Sequence, residues 1–218
     1  MRAAVATSIA IPLLIEDGPA FAGTRTRRII CKRAWGGKPT KDGLKGHTVK
    51  RLTVHHSGVK LGQNREAPQR FRSEQSYHQS QGWPDIAYHV LVDRNGNIYK
   101  GRPSWAEGDS FTDYDLTGHF LVMCEGNFSE QPIKEAQLKA LRDVLAWACT
   151  RFDVAPRTIK GHQDYASTAC PGEDLNAMIQ SGRLRRMVKK RLGNGGINVK
   201  KLCGDAGKRR VGEIENGG

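Results

Sequence analysis

Three side chains of this 218-residue chain have the types that hold a catalytic zinc ion: one of the adjacent His55 and His56, then His162, then Cys170. Two imidazoles and a thiolate fill three tetrahedral positions and leave the fourth open for water, as a hydrolytic zinc site requires. Zinc-finger ligands come in close pairs, and these are scattered, so a finger is excluded. His162 and Cys170 are separated by Gln-Asp-Tyr-Ala-Ser-Thr-Ala, mostly turn-forming or small residues that suit a loop folding back on itself. The first ligand lies far upstream, after the strand-like run Arg51-Leu-Thr-Val54. Side chains alternate along a strand, which puts His56 on the face of Leu52 and Val54 and His55 on the face of Thr53. A cleft opposite the packed face selects His55. The alternative is His56 as ligand with His55 packed, because strand ends can break phase.

The elements that must position these groups are legible in outline. Lys50 to His55 reads as a strand delivering His55 at its carboxyl end. Pro68 to Gln81 reads as a helix, with Pro in its first turn and Gly82 past its last. Ala87 to Asp93 and Asn97 to Lys100 flank Asn95-Gly96, a hairpin signal. Phe120 to Cys124 is an unbroken apolar run and reads as a buried strand. Leu138, Leu141, Leu145, Ala148, Cys149 and Phe152 recur at three- and four-residue steps and predict a helix over 134–152. Thr158 to Lys160 leads as a short strand into His162, and 173–179 and 184–192 read as helices. Strands interleaved with helices imply a mixed α/β domain, one central sheet flanked by helices.

Five blocks in order carry a family resemblance: Val54-His55-His56-Ser57-Gly58, Gly82-Trp83-Pro-Asp-Ile-Ala-Tyr88, Asp93-Arg-Asn-Gly-Asn-Ile-Tyr-Lys-Gly-Arg102, Gly126-Asn127-Phe128, and Gly161-His162 with Ala169-Cys170-Pro171. They resemble the zinc-dependent N-acetylmuramoyl-L-alanine amidases, the family of the peptidoglycan recognition proteins and the amidase-type phage lysozymes. The match runs from Arg33 to Leu175. The resemblance implies a central mixed sheet with a zinc cleft on one face and hydrolysis of the amide joining N-acetylmuramic acid to L-alanine. It implies Zn2+ held by His55, His162 and Cys170, with peptidoglycan or muropeptides as partner. Tyr88 falls on the family's assisting tyrosine, and Thr168 on a position that carries Lys in the phage enzymes and Thr in many recognition-protein amidases. Asp164 is placed to orient His162, and Arg102 to grip a stem-peptide carboxylate through bidentate pairing. One departure stands out: Ser110 occupies the place of the family's groove histidine. The alternative function is a recognition module that binds muropeptide without cutting it. Recognition proteins lacking activity commonly lose the cysteine ligand, which this chain keeps.

Composition bounds the rest. With 38% hydrophobic residues, the chain can bury one sizeable core. Residues 1–22 combine an apolar run with Ala20-Phe21-Ala22 and read as a signal peptide, which implies export; otherwise a phage-type cytoplasmic endolysin is expected. Residues 23–28 read as a polar linker and 29–192 as the amidase domain. Residues 193–218 read as a disordered basic Gly-rich tail, dispensable for chemistry and attractive to anionic wall polymers. The net charge is +13, and nothing else in the chain has the length to span a membrane. No helix-turn-helix or RNA-binding motif accompanies the charge, so specific nucleic-acid binding is not expected. A monomer is expected. With Cys170 assigned to zinc, Cys31, Cys124, Cys149 and Cys203 allow two disulfides in any of three pairings, although the apolar settings of Cys124 and Cys149 read as free thiols.

Overall fold

The computed structural model describes residues 24–218, so the signal-peptide reading of 1–22 lies outside the described residues. Seven strands form one mixed sheet: β1 (Arg25–Ile30), β2 (Arg51–His56), β3 (Val90–Val92), β4 (Ile98–Lys100), β5 (His119–Cys124), β6 (Ile159–Gly161) and β7 (Ile197–Leu202). Their order across the sheet is β6-β2-β5-β3-β4-β1-β7. β6, β2, β5 and β3 run parallel. The β3–β4 hairpin reverses direction, and β1 and β7 follow β4. The sheet thus has two parallel halves whose strands end at opposite edges.

Period-two alternation sends neighbouring residues to two separate cores. Ile29, Leu52, Val54, Val90, Val92, Ile98, Phe120 and Val122 pack on one face, beneath α2 (Glu135–Phe152), α3 (Glu173–Gln180) and α4 (Arg183–Gly193). Ile30, Leu91, Tyr99 and Met123 point the other way, toward α1 (Ala67–Ser80) and α5 (Gly204–Glu215). Both faces of the sheet are therefore covered, which is why its central strands read as continuous apolar runs. The stripe of α2 seats Leu138, Leu141 and Leu145 in the first core. That helix stops at Asp153, in the left-handed region at φ 52°.

The Asn95-Gly96 turn closes the hairpin as expected. Gly96 has φ +82°, and a Cβ there would lie 2.6 Å from the Ala136 carbonyl oxygen, so no other residue fits. The Asp93 carboxylate accepts from the backbone of Asn95 and Asn97 and from the Tyr99 hydroxyl at 2.9–3.0 Å, which fixes the turn.

Two boundaries differ from expectation. Residues 25–30, expected to be mostly linker, form β1, and 197–202 of the expected disordered tail pair with it in parallel as β7. Both strands are charged and largely exposed, so neither shows alternation; main-chain hydrogen bonds need none. Arg27 Nε donates at 2.7 Å to Asp143, a carboxylate buried on α2, which gives this charged segment a tertiary anchor. A Cys31–Cys203 disulfide then ties the end of β1 to the start of α5. Val211 and Ile214 of α5 lie in the second core, so the terminal segment is part of the fold. Cys124 and Cys149 are free and buried.

Candidate metal centre

β2 lies between β5 and β6, with Val54 opposite Gly161. That register brings His55, at the end of β2, beside His162, which follows β6 directly. Their ring centroids are 4.5 Å apart. The loop after His162 turns back through bonds from Gln163 N to the Cys170 carbonyl (3.0 Å) and from Gly172 N to the Ala169 carbonyl (2.7 Å). Gly172 has φ +87° and passes so close to Phe128 and His56 that a Cβ would lie 2.8–2.9 Å from them. Cys170 Sγ thereby comes to 3.6 Å from His55 Nδ1 and accepts from the His56 backbone N–H at 3.3 Å. One ligand atom each from His55, His162 and Cys170 falls within 4.8 Å of the others.

His56 takes the opposite face. Its Nδ1 accepts from Phe128 N at 3.3 Å and its ring lies beside Phe128, so its side chain is engaged by packing and a backbone bond.

The donor set fits a zinc ion. His55 Nε2 is buried without a hydrogen-bond partner, and Nδ1 faces only the sulfur. Burial, followed by the neighbouring His162, holds the His55 imidazole well below its ordinary pKa, and burial takes His162 down to about 4. Burial also pushes the Cys170 thiol up to about 12. Neutral imidazoles are ready to coordinate, and a dication is what such a buried thiol requires to become thiolate. His162 Nε2 lies 2.6 Å from the Thr112 hydroxyl and 3.5 Å from Ser110, which leaves Nδ1 for a metal.

These groups sit in an open cleft of about 390 Å³. Tyr88 and Thr168 both line it. The Tyr88 ring is 5.3 Å from that of His55, and burial raises its phenol far above the ordinary value, so it stays protonated as a donor. Thr168 Oγ1 accepts from Cys170 N at 3.2 Å, which braces the loop and leaves the hydroxyl proton free to donate. Trp83 and Phe111, with centroids 4.3 Å apart, form an aromatic shelf that also lines the cleft.

Two expected roles are not what the structure shows. Arg102 is only 3% exposed and does not line the cleft. It donates to the carbonyls of Ile86, Glu107 and Asp85 at 2.6–3.0 Å and pairs with Asp109, so four of its five N–H groups are engaged within the protein and the buried side chain is not presented to a substrate carboxylate. It instead holds the loop that presents Asp109, Ser110 and Phe111. Asp164 does not orient His162; its carboxylate accepts from Gly161 N at 2.7 Å and from Gln180 at 3.0 Å. Thr112 holds that ring instead. It escaped the sequence reading because an isolated threonine in a loop fifty residues away carries no local signal.

Comparison with known proteins identifies the family and the fold. The family model described as N-acetylmuramoyl-L-alanine amidase matches residues 45–173. Peptidoglycan-recognition protein SC1a of Drosophila melanogaster is 30% identical over 156 residues, covering 67% of this chain and 81% of that protein. Among solved structures, peptidoglycan recognition protein LE in complex with tracheal cytotoxin, a monomeric diaminopimelic acid-type peptidoglycan, superposes with a TM-score of 0.64 at 25% identity, covering 70% of this chain and 92% of that one. The amidase LysC from Clostridium intestinale shares the fold, with a TM-score of 0.57 at 22% identity over 73% of this chain and 97% of its own.

Proposed function

The chain belongs to the N-acetylmuramoyl-L-alanine amidase family, and on that premise we propose that it is a zinc hydrolase that cuts the amide between N-acetylmuramic acid and the L-alanine of the peptidoglycan stem peptide. The observation that carries this reading is the convergence of His55, His162 and Cys170 at the floor of an open cleft. Zinc held by these three residues would supply a Lewis acid and lower the pKa of water toward about 7. The chain's own groups do the rest. Thr112 fixes the plane of the His162 ring through Nε2, and the His56 N–H steadies the Cys170 sulfur. The Tyr88 phenol donates a hydrogen bond where negative charge grows on the carbonyl oxygen, and the Thr168 hydroxyl is a second, uncharged donor in the same cleft. The Trp83–Phe111 shelf offers apolar surface to the substrate, on the side where Ser110 replaces the groove histidine.

Muropeptide is the proposed ligand, as the relatives' names and the bound fragment of the recognition protein LE support. The Cys31–Cys203 disulfide supports an oxidising compartment, and hence export. Among the described residues no helix is long and apolar enough to cross a membrane. The second reading, a recognition module that binds without cutting, is favoured by the relatives' names and opposed by the retained Cys170 thiol.

The test is zinc stoichiometry together with mass spectrometry of digested peptidoglycan. The wild type should bind one zinc and release stem peptides with new L-alanine amino termini, leaving the glycan intact. His55→Ala, His162→Ala and Cys170→Ser should each lose metal and activity, Tyr88→Phe activity alone, and His56→Ala should retain zinc. Metal and muropeptide binding without new amino termini would establish the recognition module instead. New reducing sugar ends would overturn both readings.

A further inference from the structure

A cavity of about 690 Å³ that takes no part in this chemistry lies at the far edge of the sheet. The metal cleft opens at the carboxyl ends of β2 and β6, whereas β1, β4 and β7 run antiparallel to them and end at the opposite edge. There Lys32, Arg33, Lys100, Lys201 and Lys208 line the cavity around the Cys31–Cys203 disulfide, with no acidic residue among the lining. Lys32 is neutralised by Asp85, and Lys208 reaches Asp205 at 3.6 Å. Arg33, Lys100 and Lys201 are exposed and have no carboxylate partner among the described residues. A second concavity of about 330 Å³ shares Lys100 and Lys201 and continues the groove toward Arg151.

We infer that this groove is a binding site for a phosphate-bearing polyanion, specifically the phosphodiester backbone of a wall polyol-phosphate polymer. Cations spread along a groove, rather than gathered at one point, match a chain of repeated phosphates better than a single small anion. The site is also built. The pairing of β1 with both β4 and β7 aligns the strand ends that carry Lys100 and Lys201, and the disulfide fixes the turn that carries Lys32 and Arg33 against the start of α5. Desolvation, and after it the neighbouring Lys201 and Lys32, lower the Lys100 pKa, in keeping with the closeness of these cations. Its position lets one polymer be held while another is cut, because the two sites lie at opposite strand ends of the sheet. The choice of a wall polymer as ligand rests on the amidase reading; the anion site itself does not.

The test is calorimetric binding of poly(glycerol phosphate) to the full chain over a salt series, with a length-matched oligothymidylate and phosphatidylglycerol vesicles as competing probes. Lys100→Gln/Lys201→Gln should weaken binding about tenfold or more and reduce the salt slope by about one to two. Lys189→Gln/Lys190→Gln, which removes the same charge from the exposed face of α4, should change affinity less than about threefold. Both lysine pairs are exposed, so these changes leave the cores intact. Soluble muropeptide turnover should be the same in all three proteins. Equal losses in the two double variants, or no binding by the wild type, would overturn the site. Tighter binding of oligothymidylate or vesicles would overturn the wall polymer as its ligand. Because binding is read without hydrolysis, a wild type that binds the polymer but cuts nothing would sink the amidase reading and leave the groove standing.

Discussion

Thr112 shows how a side chain that binds no metal can decide whether a site holds one. Its hydroxyl, 2.6 Å from His162 Nε2, engages that nitrogen and leaves Nδ1 for the proposed metal. Partners of this kind orient the ring and raise its basicity, and their loss typically costs about ten- to a hundredfold in metal affinity. Thr112→Val keeps the shape and removes the hydrogen bond. It should weaken zinc by that factor in a chelator competition, with little effect on thermal unfolding of the metal-free protein. Unchanged zinc affinity would mean that Ser110, at 3.5 Å, or water takes over the role. Arg102 makes the complementary point. A guanidinium with five donors reads from sequence as a carboxylate clamp, yet here it closes three backbone carbonyls and Asp109 into a rigid loop.

Among the elements, β7 and α5 carry the largest revision. They cap the sheet edge with six residues paired to β1 and place Val211 and Ile214, 5% and 1% exposed, in the core beneath α1. The disulfide spans 172 residues of sequence, so it restricts most of the unfolded chain. Reduction, or Cys31→Ser/Cys203→Ser, should lower the unfolding free energy by about 2–5 kcal/mol. Ile214→Ala should cost about 2–5 kcal/mol, the range for truncating a buried aliphatic side chain. Urea unfolding of each variant measures both. A terminal segment that were only a solvated tail would give no change in either case.

For the whole molecule, the buried ionisable groups set how stability follows pH. His78, His89 and His119 are held neutral by burial, with pKa values lowered to about 4, about 3 and about 4. The unfolded chain binds protons there that the fold does not, so stability is lost as pH falls below the ordinary histidine value of 6.5. Glu125, 1% exposed, has the opposite sign. Burial raises its pKa from 4.5 to about 7, despite Arg70, the Ser57 hydroxyl and Arg94 nearby, with Asp93 adding to the rise. Burial and then Glu125 itself raise Glu74 to about 8. The native state keeps these protons while the unfolded chain gives them up, so stability falls as pH rises from about 4.5 through 8. The wild type should therefore be most stable near neutrality. Glu125→Gln should recover on the order of 2 kcal/mol on the alkaline side. Urea unfolding of both proteins between pH 5 and about 9 reads the difference, and the comparison cancels any shared metal contribution. Parallel profiles would show that Glu125 is already ionised in the fold.

How much of this was written in the sequence follows from the range of the forces involved. The α2 stripe, the Asn95-Gly96 turn and the face that His55 takes on β2 depend on residues within a turn or two of one another, and all could be read along the chain. The three convergent groups were legible because their donor types suit a zinc ion and because the segments around them resemble the motifs of a known family. The β1–β7 edge could not be read, because parallel pairing is made by main-chain groups that every residue carries, and charged strands look like linker until a partner lies beside them. The Cys31–Cys203 pairing, the burial of Arg102 and the hydroxyl behind His162 belong to the same class. Each depends on which distant segments the packed sheet brings within a few ångströms, and only the tertiary structure decides that.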